Sequence, residues 1–103
     1  MTNPSEKWIS LLGLAARARE LVTGEELVLQ DVRKNRVCLV LLAADASDAT
    51  AKKVKDKCTH YKIPLKQVAD RAVLGAAVGK AERVVIGIKS RGFAKKITEL
   101  LDQ

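Results

Sequence analysis

The run Val37-Cys38-Leu39-Val40-Leu41-Leu42 places six apolar residues in succession, with no polar residue to turn toward water. Successive side chains of a strand point to opposite faces, so an unbroken apolar run needs apolar cover on both. The segment therefore reads as a strand buried on both faces. Such a strand belongs inside a layered α/β domain.

The flanking sequence supplies the layers. Ser5 is positioned to cap a first helix running to about Arg19, with Trp8, Leu11, Leu12 and Ala15 on one face. Glu20-Leu21-Val22 reads as a brief extended piece. Thr23-Gly24-Glu25-Glu26 has the form of a capping box, in which the Thr23 hydroxyl accepts from the backbone and Glu26 reaches back. The helix it opens should run to about Lys34 and pack Leu27, Val28 and Val32. After the apolar strand, Ser47 or Asp48 caps a third helix whose core face is Val54, Cys58 and Tyr61, leaving Lys52, Lys53 and Lys57 outside. Residues 63–68 form a strand whose Pro64 suits its first residues or an edge. A short helix follows Asp70 and ends near Gly79, residues 83–88 form the last strand, and Ser90 or Gly92 opens a helix ending near Leu101. Connections are short and no linker, repeat or low-complexity segment intervenes, so one domain over residues 1–103 is expected.

Charge narrows the choice of partners. Nineteen Lys and Arg against 12 Asp and Glu leave a formal charge of +7 on 103 residues, which attracts polyanions and also favours solubility. Trp8, Tyr61 and Phe93 are the only aromatics, too few for a sheet face of stacked rings that grips single-stranded RNA. No helix combines a lysine-rich face with a bulky apolar one, which argues against an anionic membrane as partner. Arg17 and Arg19 break the N-terminal apolar segment, so neither a signal peptide nor a membrane span is read there, and a cytoplasmic protein is expected.

Candidate chemical motifs are few. Gly75-Ala76-Ala77-Val78-Gly79-Lys80-Ala81 resembles a phosphate-binding loop, but that motif needs four residues between its glycines and Ser or Thr after the lysine. Here three intervene and Ala81 follows; Gly75 is better read as allowing close helix packing, and Gly79 as a left-handed helix cap. Cys38, Cys58 and the single histidine, His60, lack a partner pair for a zinc site and read as structural. Asp45 and Asp48 read as turn and cap residues. No nucleophile with a neighbouring base can be assembled, so neither catalysis nor a cofactor is expected. The start of the second helix is more informative. Backbone amides at Gly24 and Glu25 face outward where the helix dipole favours phosphate. Glu26, Gln30 and Arg33 follow at i, i+4 and i+7 and share one face. Glutamates in a first turn also simply compensate the dipole.

Several motifs fall in a recognisable order: Leu11-Leu12-Gly13-Leu14-Ala15, Gly24-Glu25-Glu26-Leu27 and Leu39-Val40-Leu41-Leu42-Ala43-Ala44-Asp45-Ala46-Ser47. They continue through Lys57-Cys58, Tyr61, Ile63-Pro64, Leu74-Gly75, Gly79-Lys80 and Gly92-Phe93-Ala94. On these motifs the chain resembles, over nearly its whole length, the kink-turn RNA-binding ribosomal protein family, most closely its bacterial YlxQ-like branch. The resemblance implies a three-layer α-β-α sandwich around a mixed four-stranded sheet. It also implies RNA contacts at the start of the second helix, in the loop after the buried strand, and in the loop before the last strand. The family's helix motif is Gly-x-Asn-Glu-x-x-Lys; Gly24 matches it, while Glu26, Leu27 and Gln30 stand at the Asn, Glu and Lys positions. Where better-studied members carry a longer apolar loop over a flipped-out base, this chain has Lys80-Ala81-Glu82-Arg83, which favours phosphate pairing.

The function so implied is non-catalytic recognition of structured RNA, a kink-turn-like internal loop of ribosomal or other translation-related RNA, by a monomer. The candidate contacts are Gly24, Glu25, Glu26, Leu27, Gln30, Arg33, Lys34, Ala44, Asp45, Ser47, Lys80 and Arg83. The alternative is a protein-interaction module of the transcription or translation machinery.

Overall fold

A computed structural model describes residues 4–102, with side chains from residue 7 onward. The elements are α1 (Pro4–Arg17), β1 (Leu21–Thr23), α2 (Glu25–Arg33), β2 (Leu39–Ala43), α3 (Asp48–His60), β3 (Leu65–Val68), α4 (Arg71–Ala77), β4 (Val85–Ile88) and α5 (Arg91–Leu101). The strands make one sheet in the order β1-β4-β2-β3. β4 pairs antiparallel with β1 and β2, whereas β2 and β3 are parallel, joined by the α3 crossover. The sheet is therefore mixed and four-stranded, as the resemblance implies.

The apolar run behaves as its pattern requires. Leu39, Leu41 and Ala43, with Ile86 and Ile88 of β4, pack against Trp8 and Leu12 of α1, Leu74 of α4, and Ala94 and Ile97 of α5. Val40 and Leu42, with Val85, pack on the other face against Val28, Leu29 and Val32 of α2 and Val54 and Cys58 of α3. This gives the α-β-α layering. Every residue of β2 is buried, and each fully buried Leu or Val side chain stabilises the fold by about 1.5–3 kcal/mol. Pro64 lies just before edge strand β3, and its carbonyl accepts from the Val40 amide at 2.9 Å.

Four helices end in one hydrogen-bonded turn. After α1, the Arg19 amide donates to Ala16 and the Glu20 amide to Ala15, at 3.1 and 2.9 Å. The same paired bonds follow α2, α3 and α4, with Asn35, Lys62 and Gly79 in the left-handed position. Arg19, Asn35, Lys62 and Gly79 have φ of 59°, 54°, 58° and 71°. Gly79 was legible as such a cap; Arg19 was expected inside α1, which instead stops at Arg17 because Arg19 takes the turn. Pro4 starts α1, where a missing N–H is tolerated, so Ser5 stands within the helix and not before it. The Ser5 side chain lies outside the described residues.

Three further expectations are corrected. The capping box does not form: Thr23 is the last residue of β1, paired with Ile86, and Gly24 is the N-cap of α2 with no side-chain hydrogen bond. Leu27 is not in the core but 55% exposed, and Leu29 is buried in its place. Gly75 does not admit a neighbouring helix; a Cβ there would overlap the Ala81 carbonyl, so it seats the loop between α4 and β4. By contrast Ser47, Asp70 and Ser90 cap α3, α4 and α5, accepting from the Thr50, Val73 and Phe93 amides at 3.1, 2.9 and 3.3 Å.

Candidate nucleic-acid interface

At the end of the sheet where β1 and β2 finish and β4 begins, three separated chain segments meet around a groove of about 590 Å³. They are the start of α2, the loop into α3, and the loop from α4 to β4. Gly24, Glu25, Leu27, Ser47 and Arg83 line it, as do Thr23, Thr50, Arg71, Glu82 and Val84. Leu27 and the half-buried Val84 give the groove an apolar component between charged neighbours.

Gly24 makes the entry to α2. Its φ of 96° lies where L side chains rarely go, and a Cβ there would meet nothing within 4 Å, so backbone conformation alone selects glycine. Its amide donates to the Val85 carbonyl at 3.0 Å, which removes it as a phosphate donor. The first intrahelical bond of α2 runs from Val28 to the Gly24 carbonyl, at 3.0 Å. The open amides are accordingly those of Glu25, Glu26 and Leu27. An anion site at this terminus is displaced by one residue from the expected one.

Hydrogen bonds hold the groove's walls. Asp45 accepts from the Arg71 amide at 3.0 Å and from Arg71 Nε at 3.2 Å, while Arg71 Nη2 donates to the Asp45 carbonyl at 2.7 Å. This clamps the β2–α3 loop to the start of α4. The Arg83 amide donates to the Arg71 carbonyl at 3.1 Å, extending the brace to the next loop. Arg83 Nε reaches Thr23 Oγ1 at 3.3 Å, and Nη1 donates to the Glu82 carbonyl at 2.8 Å. Asp45 thus acts from behind the groove and not in its lining. Across the mouth, Lys53 of α3 pairs with Glu25 Oε2 at 2.9 Å. Hydrogen bonds from Lys53 and Thr50 hold the Glu25 carboxyl below its ordinary pKa of 4.5, against a smaller opposing effect of burial. A compensated carboxylate at the helix start repels phosphate less than a free one would.

The expected contact set divides between faces. Glu26, Gln30 and Arg33 do share a face, but it lines an adjoining groove of about 430 Å³ between α2 and α3, together with Glu25, Lys53 and Lys57. Lys80 faces a third groove beside α1, and Lys34, Ala44 and Asp45 line none of the three. Lys34 caps the far end of α2, roughly 15 Å along the helix from Gly24 at 1.5 Å per residue. Cys58 is buried, and burial pushes its thiol up to about 11; it is a core residue on α3. Sequence reasoning missed Arg71 and Thr50. Nothing local marks Arg71, because its partner Asp45 lies 26 positions away and meets it only when the sheet has formed.

Comparison with known proteins decides the family. Residues 6–98 match the model of the ribosomal protein L7Ae/L30e/S12e/Gadd45 family. The chain belongs to this family. It is 55% identical over 96 residues to the RNA-binding protein YlxQ of Bacillus subtilis (strain 168), covering 93% of this chain and 96% of that protein. It is 44% identical to the RNA-binding protein YlxQ of Enterococcus faecium over 97 residues, covering 94% of this chain and 93% of the relative. Among solved structures, a Bacillus halodurans protein described as of unknown function superposes with a TM-score of 0.92 at 56% identity, covering 94% of this chain and 98% of the other. A Giardia lamblia 15.5 kD RNA-binding protein superposes with a TM-score of 0.80 at 20% identity, covering 96% and 85%, and shares the fold.

Proposed function

We propose that this protein is a non-catalytic RNA-binding protein that recognises a sharply bent internal loop of the kink-turn type in ribosomal or other translation-related RNA. The observation that carries the reading is the groove at the sheet's end, where Gly24, Leu27, Ser47 and Arg83 converge from three segments braced by Asp45 and Arg71. Support also comes from the two YlxQ relatives, both described as RNA-binding proteins, and from the charge of +7. A bent loop presents closely spaced phosphates and unstacked purines, so its shape can be read by a concave surface.

The parts take distinct roles. Amides of Glu25, Glu26 and Leu27 bind a phosphate at the helix start. Leu27 and Val84 pack against an unstacked base. Glu26 and Gln30 on the adjoining wall meet purine edges, and Arg33 neutralises backbone beyond them. Leu27 at the family's glutamate position exchanges a hydrogen-bond acceptor for apolar contact, which shifts this site toward shape. The proposal includes a monomer acting in the cytoplasm, and analytical sedimentation checks the first.

Binding to a kink-turn duplex and to an unkinked duplex of equal length, over a salt series, tests the reading. Preference for the kinked RNA by at least about ten-fold, persisting as salt rises, is the expected result. Equal affinities would leave only polyelectrolyte attraction and remove the proposal.

A further inference from the structure

Beside the braced groove, a larger one of about 800 Å³ runs between the C-terminal end of α1, β1 and the end of α4. Its charged lining is Arg17, Arg19 and Lys80, and no Asp or Glu is among its lining residues. All three cations are exposed, and none makes an ion pair among the described residues. Thr23 lines both grooves, and Lys80 and Arg83 belong to one short loop, so the two surfaces are continuous.

Arg19 adds an independent observation. It occupies the left-handed position of the turn after α1, with φ of 59°, where glycine meets no steric penalty. Its amide bonds to Ala16 need only the backbone. A long cation stands at this turn, as Lys62 does after α3; Arg19, unlike Lys62, lines the basic groove. Arg17, in the last turn of α1, also complements the negative end of the helix dipole. That local role leaves its guanidinium exposed and without an acidic partner among the described residues.

We infer that the Arg17–Arg19–Lys80 groove is a phosphate track for one helical arm of the RNA held by the braced groove. The inference rests on the proposed reading and extends it from the bent loop to the duplex beyond. A track of unpaired cations without acidic residues suits backbone phosphates, which carry charge and no sequence information. Neutralising two phosphates there would steepen the dependence of log affinity on log salt by about 1.5–2.

The test compares the wild type with the R17Q/R19G double variant on kink-turn RNAs whose two arms are lengthened in turn. Wild type should bind one long-arm RNA about ten-fold more tightly than the short-arm RNA. The double variant should bind both as wild type binds the short one, with a salt slope shallower by about 1.5–2. Arg19→Gly alone should melt no lower than wild type, since it relieves the left-handed backbone, and Arg19→Lys should retain the arm preference. These single variants keep the question answerable if the double variant folds poorly. Wild type that binds the kinked RNA without any arm-length preference overturns the inference alone. A double variant that weakens all RNAs equally also overturns it, because that is bulk charge. Wild type that fails to distinguish kinked from unkinked RNA overturns the proposed function, and the inference with it.

Discussion

Two grooves share Thr23 and one loop, yet they are built in opposite ways. The braced groove mixes signs, with Arg71 and Arg83 against Glu25 and Glu82, and its walls are cross-linked by Asp45–Arg71 and by Arg83 to Thr23. The basic groove has Arg17, Arg19 and Lys80 with no acidic lining, and none of them makes an ion pair among the described residues. Fixed geometry with balanced charge selects a shape; unpaired cations supply attraction that salt screens. On the proposed reading specificity and affinity belong to adjoining surfaces, and substitutions should separate them.

The largest effect should come from Gly75→Val, which drives a side chain into the Ala81 backbone that the braced groove needs. We expect a loss of about 3 kcal/mol in urea unfolding, because backbone cannot yield as a side-chain tip can. Leu27→Ala should instead leave stability within about 0.5 kcal/mol, since the residue is exposed, and weaken kinked RNA about ten-fold with unkinked RNA unchanged. If both RNAs weaken alike in filter binding, Leu27 reads no shape. Arg71→Ala should cost about 1 kcal/mol of stability and reduce the kinked-to-unkinked preference several-fold, while the salt slope stays the same. A changed slope would mean that Arg71 meets phosphate directly.

The smallest effect concerns pH. The Glu25 pKa is lowered in the fold, so its contribution is present above the unfolded value of 4.5 and is lost as pH falls through the lower folded value. Thermal melts from pH 6 to pH 3 should therefore show wild type losing slightly more stability than Glu25→Gln. Identical pH profiles would show that the Lys53 bridge does not fasten the groove's mouth.

The same contrast explains what could be read from the sequence. β2 was legible because a short apolar run with β-branched Val37 and Val40 and no polar interruption is kept dry as a central strand. Asp70 was legible, and Ser47 and Ser90 each as one of two candidates, because capping is local. The turn at Arg19 was not, since arginine carries no signal for a left-handed backbone. The Thr23 capping box failed because pairing with Ile86 draws Thr23 into the sheet, a long-range competitor that local spacing does not reveal. Leu27 and Leu29 flank Val28 symmetrically in the sequence; packing against α3 selects Leu29 for burial, and that choice exposes Leu27. The site followed the same rule. The start of α2 was found from its own residues, whereas the Asp45–Arg71 brace exists only after β2 and β3 have paired, and the Arg83–Thr23 brace only after β1 and β4 have.

Mapping the amide shifts of isotope-labelled protein as kink-turn RNA is added tests the location of recognition most directly. Shifts should concentrate at residues 24–33, 47–50 and 81–85, with a second set near Arg17, Arg19 and Lys80 that fades as salt rises while the first persists. Shifts spread evenly over the lysines of α3 and α5, and fading together with salt, would contradict a shape-reading groove at the end of the sheet.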